Sequence, residues 1–313
     1  MQYELRLQQP IGKNLCRIFR GQIKRALKVA RGGAEPPDTR VHALRKHLKK
    51  ARAALRLARG DTGGFRQQDR RLRDVGRLTT QIRDAEVRLQ TFREFKEETA
   101  GRGRAFARIE RLLAAELEKF SVAFAGWETQ AIPLLESAHT AVAQWEIEHY
   151  EPAQFRRAVE RTYKCGRKAL TLVHAEPTAA NVHQLRKRVK WLGYEVRIIR
   201  PLHPAVLDVV TEKLAHLGEL LGRVHDLSFL ATRLCLERSA RLLRPQDDEL
   251  LMMIEHRRAT LQYAGIAIAE CVFAEGAPSF ISRLGCEVPP ANSIAVQRSR
   301  SRRVQARTAR IPE

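Results

Sequence analysis

Apolar residues recur at intervals of three and four along most of this chain, and the two-residue alternation typical of half-buried strands is nearly absent. Glycine and proline clusters mark the ends of the apolar segments. We predict helices at about 13–31, 40–59, 65–97, 103–125, 152–174, 181–200, 205–243 and 246–275, the second capped by Asp38 or Thr39. The pattern therefore predicts an all-α protein.

The predicted helices form two sets of four in the same order. His42 and His183 are 141 positions apart, and so are the AEP tripeptides at 34–36 and 175–177. The dipeptides RD at 83–84 and HD at 225–226 follow in the same order, 142 positions apart. We therefore predict two four-helix bundles related by internal duplication, at 1–126 and 152–285, with a connector at 127–151. The arginine-rich segment 286–313 is predicted to be a disordered basic tail.

One helix in each half carries a crowded basic face. At about 100° per residue, the segment VHALRKHLKKAR at 41–52 and its continuation place basic residues on one side and apolar residues on the other. The segment VHQLRKRVKW at 182–191 repeats this arrangement. The two basic faces comprise His42, Arg45, Lys46, Lys49, Arg52 and Arg56, and His183, Arg186, Lys187, Lys190 and Arg197.

The preceding helix in each half adds a second basic stripe at helical spacing. These stripes include Arg17, Arg20 and Lys24 in the first half, and Arg161, Lys164 and Lys168 in the second half. Like charges four residues apart destabilise a helix by about 0.2 to 0.5 kcal/mol per pair. The segment 40–59 contains no acidic residue that would offset this repulsion. Ordinary solvated faces of a basic protein would explain the pattern, but solvated faces usually mix signs. The duplicated, acid-free arrangement favours a preformed anion site.

The overall charge narrows the class of ligand. The chain has 57 Lys and Arg residues against 35 Asp and Glu residues, a formal net charge of +22, which attracts polyanions. Proteins that bind single-stranded nucleic acid use aromatic side chains to stack on bases. Aromatic residues make up only 6% of this chain, and 40–59 contains none. A polyanion without bases is favoured, and sequence-independent nucleic-acid binding remains the alternative.

The two histidine segments resemble the hallmark of the CHAD family, the conserved histidine α-helical domain. The segment IRDAEVRL at 82–89 and the segment AECVFAEGAPSFISRL at 269–284 resemble further parts of that family, so the resemblance covers about residues 1–285. It implies two bundles with pseudo-twofold symmetry around a central basic cavity. It also implies inorganic polyphosphate as the ligand and association with polyphosphate granules.

The resemblance also assigns residues. It implies polyphosphate binding by His42, Arg45, Lys46, Lys49, Arg52, His183, Arg186, Lys187 and Lys190, and it marks Arg83 in the RD segment as a further candidate. The sequence departs from the arginine-rich pattern at Trp191 and Gly193. We therefore expect the second half to bind the polyanion less strongly than the first.

A metal-dependent phosphohydrolase is a third hypothesis, because His225 and Asp226 form an HD dipeptide that could bind a metal with His203 and Asp247. The equivalent dipeptide in the first half is Arg83-Asp84, and arginine does not bind metals. The repeated dipeptide is therefore interpreted as a structural or anion-binding feature. We expect no catalytic residue, no metal site and no cofactor, and hence not an enzyme.

The remaining sequence features concern the cellular compartment and the presence of other domains. The five cysteines are scattered and form no CxxC pair, which favours a reducing environment. The longest apolar run, at 261–274, is too short to span a bilayer and contains Glu270. The segment YELRLQQP at 3–10 lacks the E-x-E-x-K strand of the CYTH domain that accompanies some CHAD domains. We expect a cytoplasmic protein without that catalytic domain.

Overall fold

A computed structural model of the protein describes residues 3–32, 37–58, 64–101, 103–145, 150–239 and 248–285. These residues form α-helices and two short 3-10 turns, with no strand among them, so the all-α prediction is confirmed. The helices are α1 Ile11–Arg31, α2 Pro37–Leu57, α3 Phe65–Leu78, α4 Thr80–Glu98, α5 Arg104–Ala123, α6 Trp127–Ala141, α7 Pro152–Ala175, α8 Ala179–Ile199, α9 Pro204–Ser239, α10 Asp248–Phe273 and α11 Ala277–Arg283.

The predicted apolar faces of α2 and α8 lie in the core. Their members are all buried, and they are Val41, Leu44, Leu48, Ala51 and Leu55 on α2 with Ala58 just after its end, and Val182, Leu185, Val189, Leu192, Val196 and Ile199 on α8. Burial of this apolar face is the main stabilising contribution that each helix makes. It also fixes the rotation of each helix, so that the opposite, basic face points away from the core.

Two predicted boundaries are wrong. Helix α2 begins at Pro37, so Asp38 and Thr39 lie inside the helix instead of capping it, because the fixed φ of proline suits a first helical turn. The single helix predicted at 65–97 is broken at Thr79, which has φ −112° and ψ 12°. The hydroxyls of Thr79 and Thr80 both donate to the Gly76 carbonyl, which also accepts from a distant arginine. The Gly76 carbonyl, in the last turn of α3, therefore accepts hydrogen bonds from side chains at the point where the helix breaks.

In the second half, helices α7, α8, α9 and α10 each pack on the next, and α10 packs back on α7, which closes a four-helix bundle. Helix α11 covers one end of it by packing on α7. The Tyr163 ring stacks on Phe280 with centroids 3.8 Å apart, and its hydroxyl donates to the carbonyls of Val272 and Glu275. This tyrosine therefore joins α7 to the end of α10 and to α11.

In the first half, the closed ring consists of α1, α2, α3 and α6, while α4 and α5 form a hairpin that reaches towards α9. The segment predicted as a connector thus supplies the fourth helix of this ring. Its buried Trp127 lies under the Arg40 guanidinium, which pairs with Glu128 at 2.7 Å. The duplication predicted from the sequence remains a prediction, and the predicted tail at 286–313 lies outside the described residues.

The two halves meet where α2 packs on α8 and α4 packs on α9. Arg56 of α2 pairs with the fully buried carboxylate of Glu195 on α8, with Nε and Oε1 3.1 Å apart. The Tyr150 hydroxyl donates to the Leu57 carbonyl nearby. These contacts hold the basic faces of α2 and α8 beside each other. Among the described helices, none alone is both long and apolar enough to cross a bilayer; α10 and α11 meet that composition only when joined across a 76° bend.

A basic recess between four helices

Four helices bring cationic side chains together around Lys49. We call this arrangement the recess and define it by His42, Arg45 and Lys49 of α2, Arg83 and Asp84 of α4, His183, Arg186 and Lys190 of α8, and His225 and Asp226 of α9. It contains residues from both histidine segments and both RD/HD dipeptides. Lys46 and Lys187 lie at its rim, since they act on His42 and His183 respectively.

Lys49 occupies the centre of the recess. Its side chain is exposed to solvent, yet burial among protein atoms lowers its pKa, and Arg186, Arg45, Arg83 and Lys190 lower it further, to about 8. A group that is both accessible and desolvated lies in a concave surface. The four neighbouring cations come from three helices, so this concentration of charge is created by the tertiary fold.

Two glycines of α9 determine where the α8 cations lie. Arg186 and Lys190 are one turn apart on α8 and pass over Gly222 and Gly218, which are one turn apart on α9. A Cβ built on Gly218 would come within 3.1 Å of the Lys190 Cε and Nζ, whereas one on Gly222 would be 3.8 Å from Arg186. The missing side chains leave a smooth surface on which the two cationic chains reach into the recess.

The histidines of the recess are held neutral. The Nδ1 atoms of His183 and His225 are 3.1 Å apart, so one ring donates a hydrogen and the other accepts it. Burial lowers the pKa of both, and Arg186 adds to it; the pKa of His225 falls to about 4. Burial and then Arg83 lower the pKa of His42 as well. None of the three adds a full charge near pH 7 without an anion.

Two aspartates lie among these cations. Burial raises the pKa of Asp84 and Asp226, while arginines oppose the shift: Arg45 acts most strongly on Asp84, and Arg186 on Asp226. The sequence indicated only a structural or anion-binding role for the RD and HD dipeptides, and His225, Asp84 and Asp226 were not among the predicted site residues. The signal that could have placed all three in the recess was the repeated RD/HD dipeptide itself.

Three arginines on the α2 side are held by protein groups. Arg45 donates to the Gly76 carbonyl at 2.6 Å, and Arg52 pairs with Asp69 at 2.8 Å. Arg56, besides its pair with Glu195, lies over the Trp191 ring at 4.4 Å. Beside Arg45 and Arg52 a cavity of about 210 Å³ opens, and Lys49 also lines it.

Most of the α1 stripe lies away from the recess. Arg17 donates to the Glu4 carbonyl at 2.6 Å and to the Asn14 side chain at 2.7 Å, so it fastens the N-terminal segment. Arg20 and Lys24 are exposed, and both act on His139 of α6. The α1 cation coupled to α2 is Arg25, which acts on His47 and Lys50.

The α7 stripe also faces outward. Lys164 pairs with Glu160 at 2.7 Å, and Lys168 is exposed on the same face. Arg161 contributes to the environment of buried Glu195 instead. Arg197 of α8 is exposed and coupled to Lys190, so it extends the basic surface beyond the recess.

The metal hypothesis requires a cluster of metal ligands around His225 and Asp226. Within the residues that the structure describes, no group of three or more His, Cys, Asp or Glu side chains is placed to hold a metal ion. His225 contacts His183, and Asp247 lies outside the described residues.

Comparison with known proteins gives a consistent result. The family model described as CHAD domain matches residues 8–235. The structure of PptA from Streptomyces chartreusis aligns with a TM-score of 0.58 at 18% identity, covering 85% of this chain and 98% of that one. The CHAD domain from the plant Ricinus communis aligns with a TM-score of 0.55 at 19% identity, covering 91% and 93%. No curated protein matches the sequence significantly.

Proposed function

This chain belongs to the CHAD domain family, and from that premise we propose that it binds inorganic polyphosphate in the recess. The protein acts in this proposal as a binding protein in the cytoplasm, associated with polyphosphate granules, and not as an enzyme. The observation that supports it most strongly is that the fold brings Lys49 of the first half and Arg186 and Lys190 of the second half together, and that none of the three forms an ion pair with a residue that the structure describes.

The charge balance of the recess supports this proposal. Among the described residues, no ion pair engages Lys49, Arg186 or Lys190, and the buried Nε of Arg186 has no hydrogen-bond partner. Such a cluster repels itself, and a chain of phosphate groups would relieve the repulsion by accepting charge-assisted hydrogen bonds from several cations at once. Binding would also release counterions and weaken steeply with salt.

The contacts of Trp191, which follows Lys190 on α8, favour a ligand without bases. Trp191 lies between two guanidinium groups, with Arg56 at 4.4 Å and Arg188 at 4.6 Å from its ring. Its ring is thereby engaged in cation–π contacts and is not a platform for a nucleobase. This arrangement supports polyphosphate over single-stranded nucleic acid as the ligand.

A competition experiment tests the ligand class. Labelled polyphosphate is bound to the protein, and unlabelled polyphosphate, DNA or RNA is added at equal phosphate charge. We expect unlabelled polyphosphate to displace the label at concentrations at least about tenfold lower than either nucleic acid, since only the phosphate chain fits between the converging cations. Equal displacement by nucleic acid would contradict a polyphosphate-specific site.

Two further experiments test the remaining claims. Incubation of the protein with polyphosphate and Mg²⁺ should release no phosphate, and release that is lost in His225→Ala would contradict the non-enzymatic assignment. A fluorescent fusion should co-localise with polyphosphate granules in cells, whereas an Arg186→Gln, Lys190→Gln fusion should not. Granule localisation that survives these substitutions would contradict targeting by the recess.

A further inference from the structure

Lys49 combines accessibility with a strongly cationic surrounding. Charged or titratable groups from four helices act on the ammonium: Arg45 of its own helix, Arg83 of α4, Arg186 and Lys190 of α8, and His225 and Asp226 of α9. Helix α3 contributes Arg73 and Arg77 to the wall of the adjacent cavity. No carboxylate within the described residues forms an ion pair with it, although Asp226 lies near. The cavity of about 210 Å³ beside it is open to small molecules.

We propose that Lys49 is an acylation site for small anionic acyl donors of the acyl phosphate class. The Nζ lone pair attacks the carbonyl carbon of the donor, and the bond between that carbon and the phosphate oxygen breaks. Inorganic phosphate leaves with the bonding electron pair, and the amine proton passes to water. The products are an uncharged amide on Lys49 and free phosphate.

The geometry favours this reaction in two ways. The guanidinium groups around Lys49 attract the donor's phosphate and stabilise the phosphate that departs. Burial of Lys49, together with the same cations, lowers its pKa to about 8, so that about a tenth of the Lys49 side chains are free amine at pH 7. An ordinary lysine, with a pKa near 10.4, is almost entirely charged at that pH.

Acylation would remove the central positive charge of the recess. An amide cannot form a charge-assisted hydrogen bond to phosphate, and its acyl group would occupy space between the cations. We therefore expect the modified protein to bind polyphosphate at least about tenfold more weakly. This consequence rests on the proposed function, whereas the acylation itself does not.

Site-resolved mass spectrometry of the intact chain treated with acetyl phosphate tests the proposal, without polyphosphate present. Lys46, exposed one turn earlier on α2, serves as the internal reference. We expect Lys49 to be acetylated at least about fivefold faster than Lys46 at pH 8, and the ratio to fall in Arg186→Gln, which removes a neighbouring cation. A ratio below about fivefold in the unmodified chain overturns the proposal.

Two further measurements test the effect of the donor's charge and the effect of Lys49 on polyphosphate binding. An uncharged acylating ester should show a smaller Lys49-to-Lys46 ratio than acetyl phosphate, because the cations do not attract it; an equal ratio would contradict the assignment to anionic donors. Polyphosphate affinity is then measured for Lys49→Gln. Selective acetylation with unchanged affinity of that variant would leave the acylation site standing and contradict the role of Lys49 in polyphosphate binding.

Discussion

The basic faces of α2 and α8 carry similar numbers of cations but differ in how many of these cations are paired within the protein. On α2, the guanidinium groups of Arg45, Arg52 and Arg56 are directed to protein acceptors. On α8, Arg186 and Lys190 reach the recess without an ion pair to any described residue. The first half uses these three arginines for contacts within the protein, whereas Arg186 and Lys190 of the second half form no such ion pair among the described residues.

This difference leads us to predict the opposite of an expectation drawn from the sequence. Trp191 and Gly193 depart from the family's pattern and suggested weaker binding by the second half. In the structure, Trp191 stacks with Arg56, and Gly193 lies where a Cβ would be 3.7 Å from Leu214 of α9, at the contact between α8 and α9. Trp191 thus has a structural role, whereas a Cβ at Gly193 would make only an ordinary van der Waals contact. The number of basic residues in a motif therefore does not give the number that lacks a partner within the protein.

The largest expected effect comes from removing the available cations of α8. Arg186→Gln with Lys190→Gln should cost about 3 to 6 kcal/mol of binding free energy, a loss of about a hundredfold or more in polyphosphate affinity. The matched double variant on α2, Arg45→Gln with Arg52→Gln, should lose less than about tenfold, because its side chains already serve protein acceptors. Isothermal titration calorimetry at fixed salt measures the affinity of both variants. Equal losses of affinity would contradict the difference between the α2 and α8 faces.

The second effect concerns stability instead of affinity. Arg56→Ala removes the ion-pair partner of the buried Glu195 carboxylate, which among the described residues keeps only its hydrogen bond with Thr162, and should lower the free energy of unfolding by about 3 to 5 kcal/mol. Denaturant titration gives this value. The exposed Arg197→Ala, which stands at the corresponding position of α8, should change it by less than about 0.5 kcal/mol. A fully stable Arg56→Ala protein would mean that this arginine is not structural.

The third effect is a pH dependence from Lys49. Its pKa is about 8 in the free protein and is raised by a bound polyanion, so binding above pH 8 must take up a proton. Affinity should therefore fall as pH rises, by about tenfold between pH 7 and pH 9, and the fall should disappear in Lys49→Arg. A fall that persists in Lys49→Arg would assign the titration to another group.

The smallest effect tests the glycine surface of α9. Gly218→Ala should displace the Lys190 ammonium and weaken binding by about threefold to fivefold, while Gly222→Ala should change affinity by less than about twofold. Both substitutions favour the helix, so stability should not fall. In a Lys190→Gln background, Gly218→Ala should have no further effect; a persistent loss would show that it does not act through Lys190.

The sequence predicted the apolar faces of α2 and α8 because a buried helix face leaves a periodic pattern that local geometry alone explains. It also predicted the recess residues of these two helices, since the opposite face must point outward. It did not predict the break at Thr79 or the placement of α1 and α7. Those depend on a carbonyl shared with Arg45 and on which side of each helix packs inward, and both are tertiary contacts.

The most direct test of the account is lysine footprinting, in which each lysine's reactivity is measured by mass spectrometry with and without polyphosphate at physiological salt. If polyphosphate binds in the recess, it should protect Lys46, Lys49, Lys187 and Lys190, which lie in or at the rim of the recess. Reactivity should be unchanged at Lys24, Lys164 and Lys168, which share the net charge but face outward. Uniform protection of all seven lysines, or protection confined to the outward ones, would contradict a folded polyphosphate site.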